Sequence, residues 1–455
     1  REFDGCCFSP PPSLPLLAQI RAGLLRPRGR TRGSGARTPL QQTHVPDRSL
    51  ADLLGKMSTP ASVPSGSKSA RDNTDGVDRL SSLSDNLLHH VMSFLTMPEV
   101  VRTSLLSPRW HYLWASTPFI YIDHEDFRYG NNPGRVDEHK LGKFADHLLL
   151  LRDGTVSLDE ARISLNMKSF VWIHHAIKHK ARHLQIFGFP HCLVLDSTAM
   201  LPSQHLKRIR LHNVCLYDSF SKMLNHDCPL LEHLDLELCE LYVRVISSSS
   251  LKVLCIIDCS IGSDLLISAM SLTHLSVIDP RCNGSAVVTR DLSSLVSASI
   301  SLRAEEFHHD YKDTGVNHRL LGGLSHATML ELHAPFPQLA FERDLQACPT
   351  FSNLTRLVLG DWCMAADFYP LFRILLCSPK MKELTVKLEM EHCETCEETE
   401  SDALPSRRAS SIKVYPCIER IRICCKKDDL RIGALVQALL PIFIPCANID
   451  IVGYE

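Results

Sequence analysis

Apolar residues recur along the chain in two different periods, and the change between them divides the sequence. From Leu80 to Trp114 apolar residues are spaced by three or four positions, which is typical of short helices. From Glu160 onward they follow a six-residue pattern, L-x-x-L-x-L with aliphatic substitution, which predicts short strands buried on one face. Residues 1–76 sustain neither period.

The six-residue pattern occurs eleven times, with starts separated by 20 to 37 residues and mostly by 20 to 27. The copies begin at Glu160, Ala181, Leu206, Leu231, Leu251, Leu272, Leu295, Ala327, Leu354, Met381 and Ile418. One copy cannot bury its own leucines, whereas stacked neighbours close a continuous core. Cys239 and Cys259 fall at the ninth position, where leucine-rich repeats turn the chain out of the strand. We therefore predict an α/β fold with an irregular leucine-rich-repeat solenoid, a horseshoe, over residues 160–430.

Three short helices are predicted ahead of the repeats. The first has an apolar stripe that consists of Leu83, Leu87, Val91 and Phe94, widened by Leu88 and Leu95. The second starts at a Thr96–Glu99 capping box and presents Val100, Val101, Ser104 and Leu105. The third starts at Ser107–Pro108 and directs Trp110, Leu113 and Trp114 inward.

This helical segment holds more apolar side chains than it can bury alone. A domain of about forty residues is marginal on surface-to-volume grounds, so part of its apolar surface should be covered. From the residues alone, the cover is either the following domain or a partner protein.

The segment "DRLSSLSDNLLHHVMSFLTMPEVVRTSLLSPRWHYLWASTPFIYID" (78–123) closely resembles the F-box of plant F-box proteins. The resemblance runs through D-R-L-S, L-x-D-x-L-L, S-F-L, T-S-x-L-S-x-R-W and L-W. It implies a three-helix F-box at residues 77–123 that binds the Skp1 adaptor of a cullin-RING ubiquitin ligase. The adaptor contacts implied by the resemblance are Leu80, Leu83, Leu87, Leu88, Val91, Phe94, Leu95, Val101, Leu105, Trp110, Leu113 and Trp114. Some of these must instead hold the helices together. Ser84 departs from the family, which usually has proline there.

The remaining segments are predicted to serve the repeats. Residues 1–76, rich in Pro, Gly, Ser and Arg, should be a disordered leader, and the part before Met57 need not be native. Residues 124–159 should form a helical linker that caps the first repeat, with helical spacing at Leu141, Phe144, Leu148 and Leu151. Residues 431–455 read as a helix and closing strand that cap the far end and weakly resemble the FBD segment of plant F-box proteins.

Composition excludes several classes of function. A formal charge of -2 argues against a general nucleic-acid-binding role, and the longest apolar run, 434–445, is far below the ~20 residues that a membrane span needs. The cysteines stand mostly alone in apolar stretches, so we expect them to be reduced and structural. These features predict a protein of the cytoplasm, the nucleus or both.

No catalytic or metal motif is complete. The run from Gly322 to Ala327 has alanine where a nucleophile elbow needs glycine. His308, His309 and Asp310 read as a solvated loop, and His392, Cys393 and Cys396 lack the second ligand pair of a closed zinc site. We expect no cofactor and no enzyme activity on this chain.

Together these features predict the substrate-recognition subunit of an SCF ubiquitin ligase: the F-box binds Skp1, and the repeats bind a target protein whose identity the sequence does not show. The alternative is a leucine-rich-repeat binding scaffold whose F-box does not recruit a ligase, and Ser84 is the feature that favours it.

Overall fold

The computed structural model describes residues 80–128, 136–165, 170–195, 201–282, 285–302, 319–334, 341–388, 418–426, 429–440 and 448–454. The predicted leader, the acidic run 389–402 and the histidine and cysteine clusters near residues 308 and 392 lie outside these ranges. In the part that is described, no helix is long and apolar enough to span a bilayer. The fold is mixed α/β, and several of its helices lie in the segment that resembles an F-box.

The chain divides into two compact units. The first extends to Ser164 and includes Val171–Arg182, and the second comprises Leu165–Phe170 and His183–Glu455. The helices of the first unit are α1 (Asp85–Met92), α2 (Met97–Arg102), α3 (Glu138–Leu151) and α4 (Phe170–Lys178). Its strands β1 (Phe119–Ile122) and β2 (Glu160–Leu165) pair in parallel.

Local sequence explains where the first helices begin. Thr96 N–H donates to the Glu99 carboxylate at 3.0 Å, so the predicted capping box at α2 is confirmed. Ser84 occupies the N-cap of α1, but its side chain makes no capping hydrogen bond. The predicted third helix is wrong in detail: the chain forms two short 3-10 turns, Pro108–Trp110 and Leu113–Ser116. Proline at the start, with Leu113 and Trp114 three and four positions after Trp110, suits such tight turns as well as an α-helix.

The predicted linker helix is present as α3. Asp137 caps it by accepting from Lys140 N–H at 3.1 Å, and Leu141, Phe144 and Leu148 are buried. Leu151, by contrast, is exposed at the last residue of the helix. The indole Nε1 of Trp172 on α4 donates to Asp146 at 3.0 Å, which ties α4 to α3.

Each of the eleven L-x-x-L-x-L copies forms a strand. The first copy is β2. In the second unit the other ten copies form β3, β5, β7, β10, β13, β16, β17, β18, β19 and β20, which lie in that order in one parallel sheet, and β21, which is not a copy, follows β20 at its end. The bounds of these strands are β3 (His183–Gly188), β5 (Arg208–His212), β7 (His233–Glu237), β10 (Val253–Ile257), β13 (His274–Ile278), β16 (Ser297–Ser301), β17 (Met329–His333), β18 (Arg356–Leu359), β19 (Glu383–Leu388), β20 (Arg420–Lys426) and β21 (Asn448–Tyr454). We call this the main sheet.

Neighbouring copies pair without a register shift, so equivalent leucines stack from strand to strand. Leu211 lies opposite Leu236, and Leu236 opposite Ile256; all three are fully buried. The side chains between them point to the other face, as a period of two requires. This stacking supplies the core that no single copy could make.

Short strands follow several copies and form two further parallel sheets. One has the order β14-β11-β8-β6-β4 and the other β15-β12-β9. Their bounds are β4 (Leu193–Leu195), β6 (Val214–Tyr217), β8 (Glu240–Tyr242), β9 (Val245–Ser247), β11 (Ser260–Ile261), β12 (Leu265–Ser268), β14 (Arg281–Cys282) and β15 (Val287–Arg290). The helices α5 (Asp218–His226), α6 (Glu342–Gln346), α7 (Ala365–Leu376) and α8 (Arg431–Leu439) lie in other connections.

One turn geometry recurs after the main-sheet strands. Asn213, Leu238, Asp258 and Asp279 all have φ between 50° and 55°. Their N–H groups donate to the last carbonyl of the next strand, for example Leu238 N to Ile257 O at 3.0 Å. The cysteine at the ninth position follows at once: Cys239 and Cys259 are fully buried, with their sulfur atoms close to backbone carbonyls of the main sheet. The predicted turn out of the strand is therefore present.

Candidate functional site

The helical part of the first unit has its own core. On α1 the buried side chains are Leu88 and Met92, and Leu95 follows them. The predicted stripe through Leu83 and Leu87 is therefore wrong, because the buried face is turned by one residue toward Leu88. Trp110, Leu113 and Trp114 are buried, which confirms their inward direction.

Polar contacts fix the start of this segment on its 3-10 turns. Arg109 pairs with Asp85 at 2.8 Å and also donates to the carbonyl of Ser81. The indole Nε1 of Trp110 donates to Ser81 Oγ at 3.1 Å. These contacts join α1 to a turn more than twenty residues later, so the segment is held in one arrangement.

The twelve residues implied by the resemblance fall into two groups. Six are buried in the fold: Leu88, Leu95, Val101, Trp110, Leu113 and Trp114. Six reach the surface: Leu87 and Leu105 are exposed, and Leu80, Leu83, Val91 and Phe94 are half-buried. In this conformation only the second group is accessible to a partner.

The most accessible apolar side chains include two that the sequence did not single out. We define the exposed apolar set as Leu87, Leu105, Leu106 and Tyr112, whose exposed fractions are 52%, 56%, 42% and 76%. Leu105 was predicted to lie on the second helix and to contact the adaptor, but α2 ends at Arg102, and Leu105 is instead the exposed last residue of a 3-10 turn at Thr103–Leu105. Leu106 and Tyr112 carried no periodic signal, because each lies where one helical element ends and the next begins.

Acidic groups cluster near this segment on the 3-10 turn His124–Phe127. Burial raises the pKa of the Asp126 carboxyl to about 7, and the nearby carboxylates of Asp123, Glu99 and Glu125 raise it further in the same direction. Imidazole Nδ1 of His124 lies 2.9 Å from Ser164 Oγ. The first unit thus has a strongly acidic region beside β1.

The outward face of the main sheet is the second candidate surface. Ion pairs cross it from strand to strand: Arg210 with Glu237 at 2.7 Å, Arg356 with Glu383 at 2.8 Å, and Lys387 with Glu331 at 2.9 Å. The last pair reaches over Val358 on the intervening strand. A hydrogen bond with His333, together with the hydrogen bond from Lys387 and its positive charge, lowers the pKa of Glu331 to about 2.

Of the catalytic and metal-binding candidates in the sequence, only the segment from Gly322 to Ala327 lies within the described ranges, and it forms turns between β16 and β17. The only group of His, Cys, Asp and Glu side chains that could hold a metal, over the ranges described, is Cys192, Cys215 and Glu240. The two cysteines are joined by a disulfide, so the expectation of reduced cysteines is wrong for this pair. Cys192 directly precedes β4, and Cys215 is the second residue of β6; the pairing of these two strands brings the cysteines together, which sequence spacing alone does not show.

Comparison with known proteins identifies an F-box domain at residues 80–121. The chain is 27% identical over 343 residues to the meiotic F-box protein MOF of Oryza sativa subsp. japonica, covering 68% of this chain and 70% of that protein. It is 26% identical over 386 residues to an F-box/FBD/LRR-repeat protein of Arabidopsis thaliana, covering 74% and 82%. A probable FBD-associated F-box protein of the same plant is 28% identical over 361 residues, covering 70% and 79%. The resemblance noted in the sequence is therefore confirmed.

Proposed function

Because the chain carries an F-box domain and has homologues among plant F-box/FBD/LRR-repeat proteins, we propose that it is the substrate-recognition subunit of an SCF ubiquitin ligase. The observation that carries the proposal is an F-box segment with its own core that still leaves four large apolar side chains in solvent. Exposed apolar groups of this number on so small a segment are typical of a protein-binding surface.

The adaptor contact follows from the two groups of side chains. Leu87 and Leu105, with the half-buried Leu80, Leu83, Val91 and Phe94, are the residues through which Skp1 binds. The six buried residues act indirectly, since they fix the positions of the exposed ones. Leu106 and Tyr112 extend the contact beyond what the resemblance implied.

The second unit then serves as the target receptor. We propose that its in-register strands and recurring turns form a leucine-rich-repeat solenoid over residues 160–430, with residues 124–159 and 431–455 as caps. Such arrays bind proteins over extended surfaces. The chain would act by position alone, because holding a target near a ubiquitin-loaded enzyme raises the effective concentration of its lysines. No bond is made or broken on this chain.

A titration of the purified chain with a purified Skp1-type adaptor tests the proposal. The expected result is a saturable complex that Leu87→Asp together with Leu105→Asp weakens by at least about a hundredfold, since each change places a charge in an apolar contact. The matched control is Leu150→Asp, which alters a leucine of the same unit that is 78% exposed but lies on α3, outside the F-box match. Equal weakening by the control, or no complex with the unchanged chain, contradicts the proposal.

Ser84 is the residue that favours the alternative, a binding scaffold that recruits no ligase. Its φ of -67° already suits proline, and its side chain makes no capping hydrogen bond. Ser84→Pro should therefore stabilise the start of α1 by about 0.5 kcal/mol and tighten adaptor binding by roughly twofold. Because a twofold gain cannot create a complex that is otherwise absent, failure of both the natural chain and the proline variant to bind an adaptor would replace the ligase function with the scaffold function.

A further inference from the structure

The outward face of the main sheet forms an ordered grid of side chains. Because β5 to β20 pair in parallel without register shifts, the first, third and fifth residues of each strand lie in three rows across the sheet. Neighbouring positions within a row are about 4.8 Å apart. The chemistry along a row can therefore be read directly from the sequence.

The middle of this grid carries no permanent charge. The outward residues of β10, β13 and β16 are Val253, Cys255, Ile257, His274, Ser276, Ile278, Ser297, Ser299 and Ser301. The aliphatic members Val253, Ile257 and Ile278 are all half-buried, with the small serines beside them. Ile257 and Ile278 are register partners on neighbouring strands, and we call these two residues the aliphatic floor. An aliphatic side chain that packs on the aliphatic floor would bury apolar surface without desolvating a charged group.

The β18–β20 end of the grid has unbalanced positive charge. Arg356 and Arg420 share one carboxylate, that of Glu383, at 2.8 and 3.5 Å. Arg422 is exposed and makes no ion pair among the described residues, although Asp450 lies opposite it on β21. We call Arg356, Arg420 and Arg422 the arginine strip. A guanidinium group that shares a carboxylate, or has none, can donate hydrogen bonds to a carboxylate of a bound peptide.

From this arrangement we propose that the face binds an extended segment of a target protein that carries an aliphatic residue and, about six residues away, a cluster of Asp or Glu. The aliphatic residue lies on the floor and the acidic cluster on the arginine strip. The proposal rests on the target-receptor role above and specifies the chemistry of the target.

The spacing follows from the strand order. Four strand steps separate β13 from β19, the centre of the arginine strip, in the order β13-β16-β17-β18-β19. At about 4.8 Å per step this is roughly 19 Å across the strands. Ile278 lies in the fifth row and the arginine strip in the first and third, which adds an offset of about 10 Å along the strands. The direct distance is therefore about 22 Å, which an extended chain of about 3.3 Å per residue spans with between six and seven residues. An acidic cluster directly beside the aliphatic residue would instead lie over the uncharged serines of β16.

Selection from a displayed library of random twelve-residue peptides on the purified full chain tests the chemistry without assuming a target. The enriched peptides are expected to contain an aliphatic residue with Asp or Glu five to seven positions away. Enrichment of basic peptides, of peptides with no acidic preference, or of no peptides at all overturns the proposal.

Charge reversal then locates the site for the best enriched peptide. Arg420→Glu with Arg422→Glu is expected to weaken its binding at least tenfold, and Ile278→Asp should do so separately. The matched control, Lys222→Glu with Arg281→Glu, makes the same change in charge on α5 and β14, outside the main sheet, and should leave binding within twofold. Equal loss in the control would mean that net charge alone attracts the peptide, and the proposal would fail.

The outcome is independent of the ligase function. The adaptor titration uses the first unit and the peptide titration uses the second. Adaptor binding without peptide enrichment rejects the acidic-target inference alone, whereas peptide enrichment without adaptor binding rejects the ligase function and keeps the face as the binding surface of a scaffold.

Discussion

At the scale of single residues, the recurring turn after the main-sheet strands requires a residue with positive φ, and at one of these turns that residue is Leu238. Asn213, Asp258 and Asp279 occupy the same position and the same left-handed backbone region. Asn and Asp tolerate this region because their short polar side chains bond to the local backbone, whereas leucine is strained there. Leu238 is also exposed, so its side chain gains little from burial.

Leu238→Asn should therefore stabilise the protein by about 0.5–1 kcal/mol. The measurement is urea denaturation followed by circular dichroism. The control is Leu230→Asn, another leucine that is half exposed but has no positive φ. A loss of stability at Leu238 would show that the side chain makes a contact more valuable than the relief of strain.

At the scale of elements, the parallel register separates core positions from surface positions within a single strand. Leu236 is fully buried between Leu211 and Ile256, while Asp235 beside it is half-buried on the outward face. The alternation was predictable, because L-x-L leaves the intervening residue on the opposite face.

Leu236→Asp should unfold the second unit, since a buried unpaired carboxylate costs several kcal/mol, comparable to the whole stability of a domain. Asp235→Asn should change the melting temperature by no more than the error of the measurement. Thermal melting of both variants checks this, and similar damage at the two positions would show that the strand register is wrong.

The helix α4 brings a histidine into cationic surroundings. Burial lowers the pKa of His175 to about 4, and the positive charges of His179, Arg152 and Lys178 lower it further. The His179 ring lies 4.2 Å from that of His175, centroid to centroid, and Arg152 donates to the carbonyl of Thr117 at 2.5 Å. The folded protein therefore keeps His175 neutral at pH values where the unfolded chain takes up a proton.

This shift has a defined consequence for acid stability. Because the pKa of His175 is lower in the folded state than in the unfolded chain, protonation of the unfolded chain favours unfolding at low pH. The stability associated with neutral His175 is therefore fully present above about pH 6.5 and is lost as the pH falls toward 4. His175→Gln should flatten the dependence of the unfolding midpoint on pH within that window, whereas His139→Gln, an exposed residue on α3, should not. An unchanged slope in His175→Gln would contradict the assignment.

At the scale of the whole molecule, the repeats were predictable and the F-box surface was only partly so. A period of two over eleven copies leaves one choice of buried face, and the structure follows it. On α1 the adjacent Leu87 and Leu88 are both apolar, so the stripe cannot choose between two faces about 100° apart. The choice depends on how α1 packs on the 3-10 turn Leu113–Ser116, more than twenty residues later, which the local sequence of the helix does not contain. The disulfide between Cys192 and Cys215 needs the register of β4 and β6, which is also non-local.

The two compact units each have a core, and this predicts that damage to one leaves the other folded. Leu88 is completely buried, so Leu88→Ala should cost the first unit about 2–5 kcal/mol, enough to expose much of so small a helical segment to solvent. Hydrogen exchange read out by mass spectrometry should show faster exchange in α1 and α2 and unchanged protection in the main sheet.

Leu87→Ala provides the matched control for that experiment, because it removes the same atoms from the neighbouring position, where the side chain is 52% exposed. It should leave exchange unchanged in both units while weakening adaptor binding. Faster exchange in the main sheet of Leu88→Ala would show that the units fold as one, and adaptor loss in Leu87→Ala could then no longer be assigned to a surface contact alone. If exchange stays local, stability and recognition reside in adjacent residues of one helix, with Leu88 supporting the fold and Leu87 available to the partner.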